Sequence, residues 1–199
     1  IIIGPNKEKF KFKNVNYVLD DDFQNHDVLS SLMTCKSIID DEILTSYSDI
    51  IFDENILRSM LDFKGDIGIA VDLDWEKNYV NRIQHPKSQA DNVLLENNKI
   101  LKIKKNIKES EPTQNLGEFI GLMKLSKNGA KIFVERFNHL IKSHKGKFHD
   151  AQSLKTAYLT DMLQELIDLN FDVEPIICSG KWCEIDTPED LQAVRKNFL

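Results

Sequence analysis

Long hydrophobic runs are missing from this chain: nowhere do apolar residues extend to the ~18 in a row that a membrane-spanning helix needs. No membrane partner is expected, and with no secretory leader in the sequence the cytoplasm is the expected location. Cysteine is scarce. Cys35, Cys178 and Cys183 are odd in number and fit neither a zinc spacing nor a disulfide framework, so reduced thiols are expected. Positive charge is in deficit, with 26 Lys and Arg against 32 Asp and Glu and a net charge of -6. Nucleic acid needs a basic footprint, and this balance argues against it as a partner. A phosphate-bearing small molecule is not excluded, because a divalent cation and a few placed lysines offset charge locally. Glycine (8) and proline (5) are few among the 199 residues, and no repeat, low-complexity tract or linker divides them. One domain spanning 1–199 is the expectation, with enough apolar residues for a real core.

What is present is an alternation of short apolar runs and amphipathic stretches. Ile1–Ile3 and Val15–Leu19 read as strands, Leu29–Ile39 as a helix and Glu42–Tyr47 as the next strand. Asp53 is placed to cap a helix that starts at Glu54. The almost continuous apolar run Asp66–Val71 predicts a strand covered on both faces. Further on, Asn97-Asn98 between two apolar runs signals a tight hairpin, and Glu118–Leu125 is another strand. Helices near Lys127–Ser143 and Ser153–Leu169, a strand over Asp172–Cys178 and a helix over Pro188–Asn197 complete the pattern. Strands alternating with helices predict a parallel, three-layer α/β domain, to which the second half adds an antiparallel lobe. The opening Ile1-Ile2-Ile3-Gly4 reads as the tail of a buried strand, so further residues are expected ahead of it.

Two aspartates carry the chemical expectation. Asp49, in Ser48-Asp49-Ile50-Ile51-Phe52, falls just past the carboxyl end of a predicted central strand, where open α/β sheets bind ligands. A carboxylate there suits Mg²⁺, which takes one or two carboxylates plus phosphate oxygens; the plain alternative is a turn or capping residue. Asp186 immediately precedes Thr187, a predicted N-cap followed by Pro188 at the first helical position. It either shares a metal with Asp49 or only adds to the acidic start of the helix. His26, His85, His139, His144 and His149 show no metal spacing and no nucleophile partner, and read as surface or loop residues.

Four segments carry a resemblance: Ser-Asp-Ile-Ile-Phe (48–52), Gly-Glu-Phe-Ile-Gly-Leu (117–122), Ala-Tyr-Leu-Thr-Asp-Met-Leu-Gln (157–164) and Trp-Cys-Glu-Ile-Asp-Thr-Pro-Glu-Asp-Leu (182–191). Together they resemble the nucleotidyltransferases that activate phosphonates and phosphocholine, in particular the 2-aminoethylphosphonate cytidylyltransferase domains often fused to phosphoenolpyruvate mutase. The resemblance implies a Rossmann-like three-layer nucleotidyltransferase fold with a mostly parallel mixed sheet. It also implies CTP and a small phosphonate or phosphate acceptor as partners, with Mg²⁺ held by Asp49 and Asp186. Ser30 or Ser31 would touch the base or ribose, with ordinary N-capping as the alternative for that segment.

Among Lys99, Lys102, Lys104, Lys105 and Lys108, strand alternation groups Lys105 with Leu101 and Ile103, and Lys102 and Lys104 with Ile100. The family's phosphate-contacting lysine then falls on Lys105, or on Lys104 if the register slips by one. Asp72, Trp75, Arg82 and Glu118 are candidates for the acceptor: a carboxylate and an aromatic face for an ammonium, and a guanidinium fork for phosphonate oxygens. Each has a plainer reading as a loop charge or rim aromatic.

The sequence departs from the family at its start. The Gly-rich loop that cradles nucleotide phosphates has no counterpart in these residues, and the strand that carries it is not found either. A gap in the sheet is therefore expected, and little activity from these residues alone. Two other readings follow. Asp72-Leu73-Asp74 as an Asp-x-Asp metal motif would suit a nucleotide-sugar glycosyltransferase, and the absent loop would suit a non-catalytic or regulatory relative.

Overall fold

A computed structural model describes residues 1–80, 82–107 and 111–198. β1 (Ile2–Ile3) and β2 (Val18–Leu19) pair in parallel as a small unit of their own. α1 (Val28–Met33) follows, then β3 (Ile43–Ser46), β4 (Ile50–Phe52) and α2 (Glu54–Asp62). Asp53 caps α2 as expected, its carboxylate accepting from the amides of Asn55 and Ile56.

β5 (Ile67–Asp72) is buried on both faces. Ile67, Ile69 and Val71 enter the larger core with Phe133 and Leu163, whereas Ala70 joins Ile56, Met60 and Trp182 on the other side. The period of two places alternate residues in different cores, which is why the whole run must be apolar. The hairpin of β6 (Asp91–Glu96) and β7 (Lys99–Lys105) turns on Asn97 and Asn98, at φ 50° and 61°. That left-handed pair is what a two-residue turn requires.

The long β8 (Gln114–Leu125) organises the sheet. β5 lies along one edge of it, and β3 and β6 follow each other along the opposite edge. β3 takes Leu122–Leu125 and β6 takes Gln114–Glu118, leaving a break at Phe119–Gly121. α3 (Lys127–Ser143), α4 (Leu159–Asp168), β9 (Val173–Ile177), β10 (Trp182–Glu184) and α5 (Pro188–Asn197) complete the chain. β9 runs parallel to β5, and β10 pairs antiparallel with β4. Thus β3, β5 and β9 point one way and β8 runs against them, with the β6–β7 hairpin as the antiparallel lobe. α1, α3 and α4 pack on one face and α2 on the other, giving the three expected layers.

Several expectations shift. The strand Val15–Leu19 shortens to β2, and the helix Leu29–Ile39 to α1 plus a 3-10 turn at Lys36–Ile38. β4 and β10 were not foreseen, and they are what tie the two ends of the chain together. The face assignment in β7 needs correction. A bulge opposite Leu94/Leu95 leaves Leu101 exposed and turns Ile100 and Ile103 inward together. Lys108 lies outside the described residues. Among the described residues β1 pairs only with β2 and β3 only with β8, and both border one cleft.

Candidate active site

That cleft has a volume of about 1020 Å³. Its apolar side is built from Ile2, Phe10, Phe12, Val28, Leu32 and Leu44, and its polar side from Ser31, Asp49, His85, Lys105, Glu184 and Asp186.

Asp49 sits in the turn between β3 and β4. Antiparallel pairing matches Ile50 with Glu184, and the bond from Ile185 N–H to the Asp49 carbonyl, 2.7 Å, extends that ladder. The segment of Asp186 is thereby fixed beside the segment of Asp49. On its other side Asp186 is fixed by the start of α5. Thr187 caps the helix, Pro188 occupies its first turn, and Asp190 accepts from the amides of both Asp186 and Thr187. The two aspartates therefore line one cleft on backbone that has little freedom.

Beneath them lies Arg82. Its Nε donates to Asp190 Oδ1 at 2.6 Å, and one Nη stands 3.7 Å from both Glu184 Oε2 and Asp186 Oδ2. Burial raises the Asp190 carboxyl, but the hydrogen bonds from Arg82 and Thr187 outweigh it and bring it down to about 2. Glu184 moves the other way: burial and the repulsion of Asp186 push it up to about 7, against the pull of Arg82.

His85 reaches the same place from a loop, with Nδ1 2.6 Å from Asp186 Oδ2 and Nε2 3.7 Å from Glu184 Oε2. Burial and the neighbouring Arg82 lower its pKa despite Asp186. His85, Glu184 and Asp186 each offer a ligand atom within 4.8 Å of the others. Sequence spacing contains no sign of this cluster, because residue 85 meets residues 184–186 only through the packing of the loop on α5.

At the other wall Lys105 extends from the end of β7. Its Nζ is 3.3 Å from Gln89 Oε1 and 5.5 Å from the centre of the Tyr158 ring. Lys104 points away to Asp150, at 3.3 Å, on the neighbouring groove. Of the two lysines weighed, Lys105 is the one at the cleft. The serines are likewise separated. Ser31 lines the cleft and donates to Asp20, whereas Ser30 donates to the Lys155 carbonyl and borders a groove on the other side, beside α3.

The acceptor candidates fall elsewhere than expected. Asp72 accepts from the Trp182 indole at 2.8 Å and from the amide of Asp74, so this carboxylate braces β10 and does not line the cleft. Asp74, the other acid of the Asp-x-Asp tripeptide, pairs with Lys77 at 2.8 Å, and neither aspartate lines the cleft. Trp75 is buried against Tyr79 and Ala90, its indole donating to the Leu116 carbonyl. Arg82 is spent on the carboxylates and has no free fork for a phosphonate.

Glu118 is buried behind the cleft. It accepts from the Tyr79 hydroxyl at 2.5 Å, while its other oxygen has no partner among the described residues. Burial pushes its carboxyl up to about 8. That oxygen and the Tyr47 hydroxyl border a cavity of about 30 Å³ whose lining includes Glu184. Tyr47 packs directly on Gly121, at φ 78°, where a Cβ would come within 2.7 Å of its ring. The glycine is required on both counts.

No family model matches the chain. In sequence it is 24% identical over 151 residues to the CTP:phosphoglutamine cytidylyltransferase of Campylobacter jejuni, covering 76% of this chain and 58% of that protein. The chain thus spans less than two thirds of that relative's length. Its fold is similar to that of the inositol-1-phosphate CTP transferase of T. maritima, with TM-score 0.59, 18% identity, and 87% and 61% of the two chains covered. It is similar also to that of the CTP:phosphocholine cytidylyltransferase of Streptococcus pneumoniae, with TM-score 0.59, 15% identity, and 96% and 70% covered. The fold is that of the nucleotidyltransferases, and the resemblance carried by the four sequence segments is borne out.

Proposed function

We propose that the protein takes part in transfer of CMP from CTP to a small phosphonate or phosphate, with release of pyrophosphate. The observation that carries this reading is the convergence of Asp49, Asp186, Lys105 and Ser31 on one cleft. Similarity to cytidylyltransferases supports the base and the reaction type.

In the reaction an acceptor oxygen attacks the α-phosphorus of CTP in line. A new P–O bond forms, the bond to the bridging oxygen breaks, and pyrophosphate leaves with its electron pair. Such a transfer needs little from the protein beyond placement and charge. Asp49 and Asp186 fit Mg²⁺ because both are carboxylates on constrained backbone at the same wall, with Glu184 adding negative charge beside them. Bound there, the ion would neutralise charge on the α-phosphate and the incoming oxygen. Arg82 holds Glu184 and Asp186 in place from below. Lys105 faces the cleft with a positive charge for phosphate oxygens, and Ser31 offers a hydroxyl for the nucleoside.

The acceptor is a small phosphonate or phosphate, with 2-aminoethylphosphonate the first to try, and a phosphoenolpyruvate mutase is the partner such a substrate implies. The test is pyrophosphate release by the full-length protein with CTP, Mg²⁺ and a panel of 2-aminoethylphosphonate, hydroxyethylphosphonate, phosphocholine and phosphoglutamine. Release with one of them is expected. A folded protein silent with all four would count against the reading.

A further inference from the structure

The cluster of His85, Glu184 and Asp186 is the strongest feature that the sequence did not suggest. Two segments far apart in the chain, the loop of His85 and the stretch of Glu184 and Asp186, bring one imidazole and two carboxylates within 4.8 Å of one another at the cleft wall. We propose that His85 and Glu184 join Asp186 as ligands of the divalent ion. The site then has a nitrogen donor and prefers Mn²⁺ or Co²⁺ to Mg²⁺. This rests on the cleft being a metal-dependent transfer site.

Geometry favours it. Ligand atoms 2.0–2.2 Å from an ion stand about 3.0–3.5 Å from one another, and one ligand atom from each of the three residues lies within 4.8 Å of the other two. His85 would bind through a single ring nitrogen, and small side-chain adjustments would close the three groups around an ion. Charge favours it too. The one guanidinium below is engaged most closely by Asp190, at 2.6 Å against 3.7 Å to Glu184 and Asp186. Negative charge at the cleft wall is therefore under-compensated.

A second observation lies behind the cluster. Glu118 and Tyr47, each with a buried side-chain oxygen that has no partner among the described residues, line the cavity of about 30 Å³ that Glu184 also lines. A volume of that size takes one water, which would link Glu184 to these groups as the outer shell of a ligand. Imidazole is the donor that separates the metals. Nitrogen ligands raise affinity along the series from Mn²⁺ to Co²⁺, whereas Mg²⁺ keeps to oxygen.

Calorimetric titration with Mg²⁺, Mn²⁺ and Co²⁺, combined with pulsed EPR of bound Mn²⁺, tests the assignment on the full-length protein. Wild type should bind Co²⁺ more tightly than Mg²⁺ and show ¹⁴N modulation from an imidazole. His85→Gln should lose the modulation and weaken Co²⁺ binding about 10-fold or more, with Mg²⁺ affinity changed less. Glu184→Gln should weaken all three ions, and thermal melts establish that each variant is folded. Binding that Asp186→Asn abolishes but His85→Gln leaves intact, with no ¹⁴N signal in wild type, would overturn this ligand set while sparing the transfer reading. Ion binding indifferent to Asp49→Asn and Asp186→Asn would overturn both.

Discussion

The amide of Ile185 donates to the carbonyl of Asp49 over 2.7 Å. This bond extends the β4–β10 ladder and brings the two aspartates to the same wall of the cleft. Each carboxylate would be unremarkable as a turn or capping residue. Their placement along one cleft, from segments far apart in the chain, is what the proposed shared ion rests on.

Asp49→Asn and Asp186→Asn are each expected to lower CTP-dependent pyrophosphate release by about 100-fold or more, the usual cost of losing one charge-stabilising group. The variants should melt close to wild type, because neither carboxylate is buried. Steady-state rates with saturating CTP and Mg²⁺ check this, and a loss of less than tenfold in both would contradict it.

Lys105→Ala should reduce kcat/KM for CTP by about 10- to 100-fold through the lost charge on phosphate oxygens. Lys104→Ala should change it by less than about twofold, since an exposed pair with Asp150 contributes little. The two kinetic measurements side by side distinguish the cleft lysine from its neighbour.

Arg82→Met should destabilise the protein by about 3–5 kcal/mol, because it strips the partner from buried Asp190 and from Glu184. Chemical denaturation measures this. Asp190 also sets an acid limit. Its pKa is depressed to about 2, so its contribution is complete above the ordinary carboxylate range and falls away as pH drops toward 2. An Asp190→Asn variant should therefore lose less stability than wild type on acidification over that range.

Glu118→Gln should do the opposite and stabilise. The buried carboxyl is raised to about 8, so between the ordinary value of 4.5 and 8 the unfolded chain holds fewer protons than the folded one. Stability therefore declines as pH rises through that window. An amide keeps the acceptor for Tyr79 without an ionisable proton. The variant should melt about 5 °C or more above wild type at pH 9, with the gain shrinking toward pH 5. A pH-independent difference would show that Glu118 is not held protonated.

The local rules were legible where one segment decides its own structure. The Asn97-Asn98 turn, the caps at Asp53 and Thr187, and the two-sided burial of β5 all follow from residues within a few positions of one another. That Asp49 and Asp186 would come to one cleft was legible through four separate segments read together as a resemblance. What escaped the sequence depends on long-range packing. The bulge that turns Leu101 outward is set by the register with β6. Asp72 and Arg82 read as free loop charges until their partners, Trp182 and Asp190, fold against them. His85 had no spacing signal at all, because its neighbours come from the far end of the chain.

The most direct test of the shared-ion account is crystallographic. A crystal of the full-length protein with CTP and Mn²⁺, with data collected for the anomalous signal of manganese, locates the ion without reference to activity. The account predicts an anomalous peak within about 2.5 Å of carboxylate oxygens from both Asp49 and Asp186. An ion bound elsewhere in the cleft, or bound by one of these residues and remote from the other, would contradict it.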